Sequence, residues 1–163
     1  MKREQFIELV SSEQEQLRRF LLALCCGDKD EADDIAQESF IKAYLSSDTY
    51  RDEGKFNAWL YKIAHNTFLD RRKSQKYTDS IDEANALMDS TFAADRSFKY
   101  QELYAAIATL PIKERTSILL FYLKGYTIKE ISSIIDCSTD AVKKQLSRGR
   151  EQLKRKMNHD GKR

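Results

Sequence analysis

The sequence predicts an all-α fold: two small helical domains joined by a linker, the second containing a helix-turn-helix. Three observations carry this. Apolar residues recur at helical spacing through most of the 163 residues, with only one proline and five glycines to interrupt them. Residues 75–98 lose that periodicity and turn acidic, so they read as a linker between domains at 1–74 and 99–163. Residues 127–150, TIKEISSIIDCSTDAVKKQLSRGR, read as two short helices about a tight turn.

Residues 4–25 form the first predicted helix, with Phe6, Leu9, Val10, Leu17, Phe20, Leu21 and Leu24 on one face. Gly27 stops it, and Asp28 or Asp30 caps the next. That second helix, 31–45, turns Ile35, Ala36, Phe40, Ala43 and Tyr44 inward. Its other side shows Asp33, Asp34, Gln37, Glu38 and Ser39, which composition alone reads either as a solvated surface or as a docking face for a basic partner. The following loop carries Tyr50, Arg51, Lys55 and Phe56. Aromatic and basic side chains on a loop suit an unstacked base and its phosphate, although a lone loop tyrosine more often packs over a neighbour. The third helix, 57–74, points Trp59, Leu60, Ile63, Ala64, Thr67 and Phe68 to the core. Its polar side holds Tyr61, Lys62, Asn66, Asp70, Arg71, Arg72 and Lys73. Its basic end suits the helix dipole and would equally suit a phosphate backbone.

Within the linker a short helix is expected around 82–88. The second domain opens with a helix over 99–109, with Leu103, Tyr104, Ile107 and Ala108 inward. Leu110-Pro111 breaks it, because proline removes a donor and restrains the residue before it. A helix over 112–123 follows, and Lys124-Gly125-Tyr126 leads out of it. Thr127 and Glu130 then form a capping box, and Ile128, Ile131, Ile134 and Ile135 make one apolar stripe. After the turn Asp136-Cys137-Ser138, Ser138 or Thr139 caps a helix that buries Val142, Leu146 and Leu153. Its opposite face shows Lys143, Lys144, Ser147, Arg148 and Arg150, the side-chain types that meet phosphates and base edges in a major groove. The basic tail from Leu153 is expected to fray.

Charge is unevenly placed. Residues 1–73 carry 12 Lys/Arg against 14 Asp/Glu, residues 74–98 carry 2 against 5, and residues 99–163 carry 14 against 7. The basic excess therefore lies with the helix-turn-helix, where an anionic polymer requires it. No apolar run approaches the roughly 20 residues of a membrane span, and the N-terminus lacks a signal-peptide core, so a cytoplasmic protein is expected. Three cysteines, two of them adjacent, suit neither a disulfide framework nor a zinc site.

DEADDIAQESFIKAY, FNAWLYKIAHNTFLDRRK and LPIKERTSILLFYLKGYTIKEISSIIDCSTDAVKKQLSRGREQL, in this order and separated by an acidic linker, resemble the extracytoplasmic-function sigma factors of bacterial RNA polymerase. The resemblance covers nearly the whole chain. It implies that the first domain grips the core polymerase through Asp34, Gln37 and Glu38, supported by Ile35 and Phe40, and melts the −10 element. It assigns −10 contacts to Tyr50, Arg51, Lys55, Phe56, Asn66, Arg71 and Arg72, with Tyr50 in the place of the base-facing aromatic and Trp59 as a core tryptophan. It assigns −35 contacts to Thr139, Lys143, Lys144, Ser147, Arg148 and Arg150. It implies core RNA polymerase, promoter DNA and an anti-sigma factor as partners, and no cofactor. Three departures stand out: Asp140 near the reading face, Asp136-Cys137 in place of a turn glycine, and Gly149 where alanine is common.

Three other readings are open to the residues themselves. A free-standing helix-turn-helix regulator shares the reading helix but gives no role to the AWLYKIAHN block. An interaction adaptor would bind polymerase without selecting promoters. An enzyme would have to use Cys25 or Cys26 with His65 and Asp70, yet the last two stand roughly 140° apart on one helix. No Gly-rich phosphate loop or metal motif supports catalysis.

Overall fold

Asp28 closes a side-chain hydrogen bond with the Glu31 N–H at 3.1 Å, and this local cap starts the second helix two residues earlier than its periodicity predicts. The structure, a computed structural model, describes residues 2–50, 55–74 and 98–161. The helices are α1 (Arg3–Leu24), α2 (Lys29–Leu45), α3 (Phe56–Ser74), α4 (Phe98–Ala108), α5 (Ile112–Ile118), α6 (Ile128–Ile135) and α7 (Thr139–Gly161), and no strand occurs among the described residues. The expected short helix at 82–88 and the rest of the linker lie outside the described residues, as does Arg51.

α1, α2 and α3 pack together, and α5, α6 and α7 form a second group with α4 laid against α7. α1 ends where Cys26 and Gly27 take positive φ values of 59° and 89°. Their left-handed backbone lets the Gly27 N–H reach back to the Leu22 carbonyl at 2.9 Å. α5 runs into a wide turn over Leu119–Leu123, in which the Lys124 N–H bonds to the Leu119 carbonyl five residues back.

The tail is helical to Gly161, where fraying was expected. Leu153 and Met157 stay half-buried and continue the seam of Val142 and Leu146, and Glu151 pairs with Arg155 one turn on at 2.6 Å. Gly149 belongs to the same seam. A Cβ there would lie 2.7 Å from Cγ1 of Ile118, so the close crossing of α5 and α7 requires a residue without one.

Three inward and outward assignments are corrected. Tyr44 is 48% exposed and meets the Phe6 ring edge-on at 5.6 Å. Ser39 is fully buried, its hydroxyl donating to the Ile35 carbonyl at 2.6 Å. Tyr61 is fully buried as well, between Phe20 of α1 and Tyr126 beyond α5.

That last contact shows that the two helical groups are docked. α6 lies along α3, and α4 and α5 meet α1. One continuous core runs from Phe6 and Leu17 through Leu60 and Phe68 to Leu119, Ile131 and Leu146. Arg115, 8% exposed, donates from Nη1 to the Leu24 carbonyl at 2.8 Å and from Nη2 to the Leu110 and Ala108 carbonyls at 3.0 and 3.3 Å. One buried guanidinium thus satisfies carbonyls at the ends of both α1 and α4.

Candidate nucleic-acid interface

The clearest candidate surface is α7. The Thr127–Glu130 capping box forms as predicted, with the Glu130 N–H donating to Thr127 Oγ1 at 3.1 Å and the Thr127 N–H to Glu130 Oε1 at 2.9 Å. Ile131 and Ile134 are buried, which locks α6 into the core. Asp136 takes φ 56° and ψ 55° and turns the chain. A left-handed aspartate fills the role of the missing turn glycine, at a conformational cost that a short polar side chain keeps low. Ser138 then caps α7 by accepting from the Ala141 N–H at 3.0 Å. Val142 and Leu146 are buried, and Ser117 Oγ donates to Gln145 Oε1 at 2.6 Å, so one side of α7 is held to α5.

Thr139, Lys143, Lys144, Ser147 and Arg148 are all exposed on the opposite side. At about 100° per residue, Lys143 to Arg148 span roughly 140° of helix surface facing away from the seam. Asp140 and Lys144 lie at the middle of that face, with Lys143 and Arg148 at its rims. Arg150 falls at the edge of the seam. Its Nε donates to Tyr122 Oη at 2.6 Å and its guanidinium sits 5.6 Å from the Phe121 ring centre.

The first domain distributes its candidates over three faces. Tyr50 follows a short 3-10 turn, Ser47–Thr49, and its ring lies 4.8 Å from that of Trp59 and 5.8 Å from that of Phe56. Phe56 is only 4% exposed, so it supports the cluster from below. Trp59 is half-buried, and the exposed Lys62, Asn66, Asp70 and Lys73 continue from it down one stripe of α3. Tyr50, Trp59 and Asn66 therefore share one surface, beside an exposed Lys55.

Arg71 does not join them. Its Nε and Nη2 donate to Glu31 at 2.8 and 3.2 Å, and Asp34 and Glu38 lie within 3.5 and 3.6 Å. The hydrogen bond to Glu31 raises the Arg71 pKa above its ordinary value. Arg72 stands over the Phe68 ring at 5.1 Å. Lys62 and Lys73 were absent from the residues expected on the −10 side; their spacing from Trp59 and Asn66 was the available signal.

α2 carries a second surface. Asp34 and Gln37 are exposed, Glu38 and Phe40 half-buried, and Ile35 fully buried. Ile41 at 60% and Leu45 at 74% exposure extend the same stripe, at positions 34, 38, 41 and 45. Sequence reading overlooked these two apolar residues; the helical repeat with the acidic pair was their signal. Arg71 ties Glu38 and Asp34 to the fold from behind, which fixes the stripe in place.

The described residues contain no cluster of His, Cys, Asp and Glu placed to hold a metal ion. Cys25, Cys26 and Cys137 form no disulfide. Burial, and then the Glu31 carboxylate, push the Cys25 pKa far above the usual thiol range, so it stays protonated. Burial lowers His65 to about 4, which keeps its imidazole neutral. Among the described residues no helix is long and apolar enough to cross a membrane.

A helix-turn-helix that presents an exposed basic face, on an all-helical frame, is the architecture of one class of DNA-binding protein. The model of sigma-70 region 2 matches residues 9–78, and that of sigma-70, region 4 matches residues 100–153. The chain is 32% identical over 148 residues to the ECF RNA polymerase sigma factor SigW of Bacillus subtilis, covering 80% of this chain and 78% of that protein. It is 33% identical over 140 residues to SigM of the same species, covering 83% and 85%. In fold it is similar to the sigma factor RpoE, solved with the anti-sigma factor NepR from Bartonella quintana. That likeness has a TM-score of 0.78 at 24% identity and covers 95% of this chain and 98% of that one. The chain belongs to the extracytoplasmic-function (ECF) sigma factors of RNA polymerase, within the sigma-70 family.

Proposed function

We infer that this protein directs core RNA polymerase to promoters through a division of labour between residues 1–74 and 99–163, joined by the linker 75–98. The observation that carries this is the pairing of two separate surfaces on one chain: the exposed basic face of α7 and the acidic–apolar stripe of α2. The α7 face suits duplex readout at −35, with Thr139, Lys143, Lys144, Ser147 and Arg148 toward the groove and Arg150, stacked on Phe121 and Tyr122, supporting its edge. The Tyr50–Trp59–Asn66 surface suits an unstacked base of the −10 element, with Lys55, Lys62 and Lys73 toward the phosphates. Arg51 and Arg72 belong to the same reading, and Arg71 serves it by bracing α2. The stripe Asp34–Glu38–Ile41–Leu45 suits a helical surface of the core polymerase, with charge along its N-terminal half and apolar contact along its C-terminal half.

The protein works without chemistry of its own and acts in the cytoplasm, where its template is. An anti-sigma factor is a fitting regulator, since RpoE, of the same fold, was solved with one. A free-standing helix-turn-helix regulator is not favoured, because it leaves the α2 stripe and the α3 surface without a role. In-vitro transcription with bacterial core polymerase on a promoter library tests the reading. Initiation from a subset of promoters is expected only when the protein is added, and the triple substitution Lys143→Ala, Lys144→Ala and Arg148→Ala should abolish it. Tight duplex binding by the protein alone, without stimulated initiation, would overturn it.

A further inference from the structure

One acid stands in the middle of the basic face of α7. Asp140 is exposed and lies one turn before Lys144, on the line that faces away from the seam of Val142 and Leu146. Cations suit a surface that meets phosphates, whereas a carboxylate there is repelled by each of them. Its presence calls for a local reason.

Helix capping does not supply one. Ser138 Oγ accepts from the Ala141 N–H at 3.0 Å and the Ser138 carbonyl from the Val142 N–H at 3.1 Å, so the first turn of α7 is closed without Asp140. The neighbouring lysines do not supply one either. Lys143 and Lys144 stand three and four positions on, and four is the spacing at which Glu15 pairs with Arg19 and Glu38 with Lys42. Asp140 forms no hydrogen bond or ion pair among the described residues. The other acid on this line, Glu151, is neutralised by Arg155 at 2.6 Å. Asp140 is thus the acid on this face whose acceptor oxygens are left to a partner.

The major groove decides which partner fits. Guanine offers the acceptors O6 and N7, and thymine offers O4 beside a methyl group; neither suits a carboxylate. Adenine offers an amino donor but sets the N7 acceptor beside it. Cytosine offers its N4 amino group and no acceptor on that edge. A carboxylate therefore takes cytosine first and adenine second, and rejects guanine and thymine. Lys144, one turn along the same line, carries the opposite charge and suits the O6 and N7 acceptors of guanine. The centre of the face thus sets an acceptor beside a donor, and the basic residues at its rims suit phosphates.

We propose that Asp140 selects cytosine at one position of the −35 element by accepting a hydrogen bond from its N4 amino group, and that the same carboxylate rejects promoters with guanine or thymine there. This rests on the reading of α7 as the −35 helix and adds a base identity to it.

Transcription with core polymerase from a library whose −35 element is randomised tests this, with the wild type, Asp140→Asn and Asp140→Ala compared. The wild type should prefer cytosine at one position by about tenfold or more. Asp140→Asn keeps the shape but both donates and accepts, so its preference at that same position should move to adenine. Asp140→Ala should level that position and leave the preferences elsewhere in place. Its initiation from promoters lacking the cytosine should rise, since the repulsion is gone. The side chain is exposed, so both variants should fold, and circular dichroism with urea unfolding checks that they do. If Asp140 serves only the positive end of the helix, the urea midpoint falls and every base preference stays as it was; that result would overturn the proposal. Loss of preference at several positions together, the mark of a displaced helix, would overturn it too. So would a wild-type preference for any base but cytosine at the position that responds to residue 140. If no promoter in the library supports initiation by the wild type, the two-element reading falls instead. Selection of duplexes by the protein alone then tests Asp140 directly. Transfer of one preference from cytosine to adenine by Asp140→Asn would uphold its role, and identical selection by both proteins would overturn it.

Discussion

Gly149 shows how a single residue is set by its surroundings. Alanine would favour the helix by about 1 kcal/mol, yet its Cβ would lie 2.7 Å from Ile118 Cγ1 and 3.1 Å from Cδ1. Gly149→Ala should therefore destabilise the fold by about 1–3 kcal/mol in urea unfolding. In an Ile118→Ala background, where both carbons are gone, the same change should stabilise. His65 makes a second prediction. Its pKa is lowered to about 4 by burial, against 6.5 for the free group, so the folded state binds fewer protons than the unfolded state between those values. Its contribution is complete above pH 6.5 and is lost as pH falls toward 4. That loss should reach about 2 kcal/mol by pH 5, and His65→Met should flatten the slope of stability against pH. Nothing within the 112–123 segment marks Arg115 as an interior residue. Because it satisfies three carbonyls from a buried position, Arg115→Met should cost about 3–5 kcal/mol, measured in the same unfolding assay.

At the scale of elements, α7 was readable in detail because its exposed basic face needs nothing from elsewhere in the chain. Val142, Leu146 and Leu153 define the seam, and the exposed face follows by geometry. Lys144 lies at the centre of that face and Arg148 at its rim. Lys144→Ala should relax base preference at one position by about 1–3 kcal/mol, while Arg148→Ala should weaken all sequences alike and reduce the salt slope by about one. Binding to a promoter series at several salt concentrations separates the two. α3 was less readable. Its periodicity placed Asn66 outward correctly, but the partnership of Tyr50 with Trp59 joins a loop to a helix, and Arg71 faces Glu31 forty positions away. Neither pairing follows from the spacing within one helix. α6 depends on a local cap, and Thr127→Ala should lower stability by about 1 kcal/mol.

Over the whole molecule, the shared core has a thermodynamic consequence. Two domains of this size would unfold separately if only a linker joined them. With Tyr61, Tyr126, Arg115 and the Leu24 carbonyl all at one junction, a single cooperative transition is expected in calorimetry. Glu13→Lys should split it in two, because Glu13 and Lys124 pair at 3.0 Å in the same junction, which would then hold a repulsion in place of the pair.

The amino-acid sequence by itself determined the helices, their order, the capping box at Thr127 and the segregation of basic charge toward α7. Each of these is local: a 3.6-residue period, a cap three residues long or a count of charges is complete within its own segment. Tertiary structure alone decided which polar residues turn inward. Tyr61 read as a surface residue, and Arg71 as a phosphate ligand, until distant parts of the chain supplied Tyr126 and Glu31 as their partners. Periodicity states that a face will be covered, and only the assembled molecule states by what. That is why the exposed basic face of α7 was found from its residues, and the docking of the two helical groups was found only from their contact.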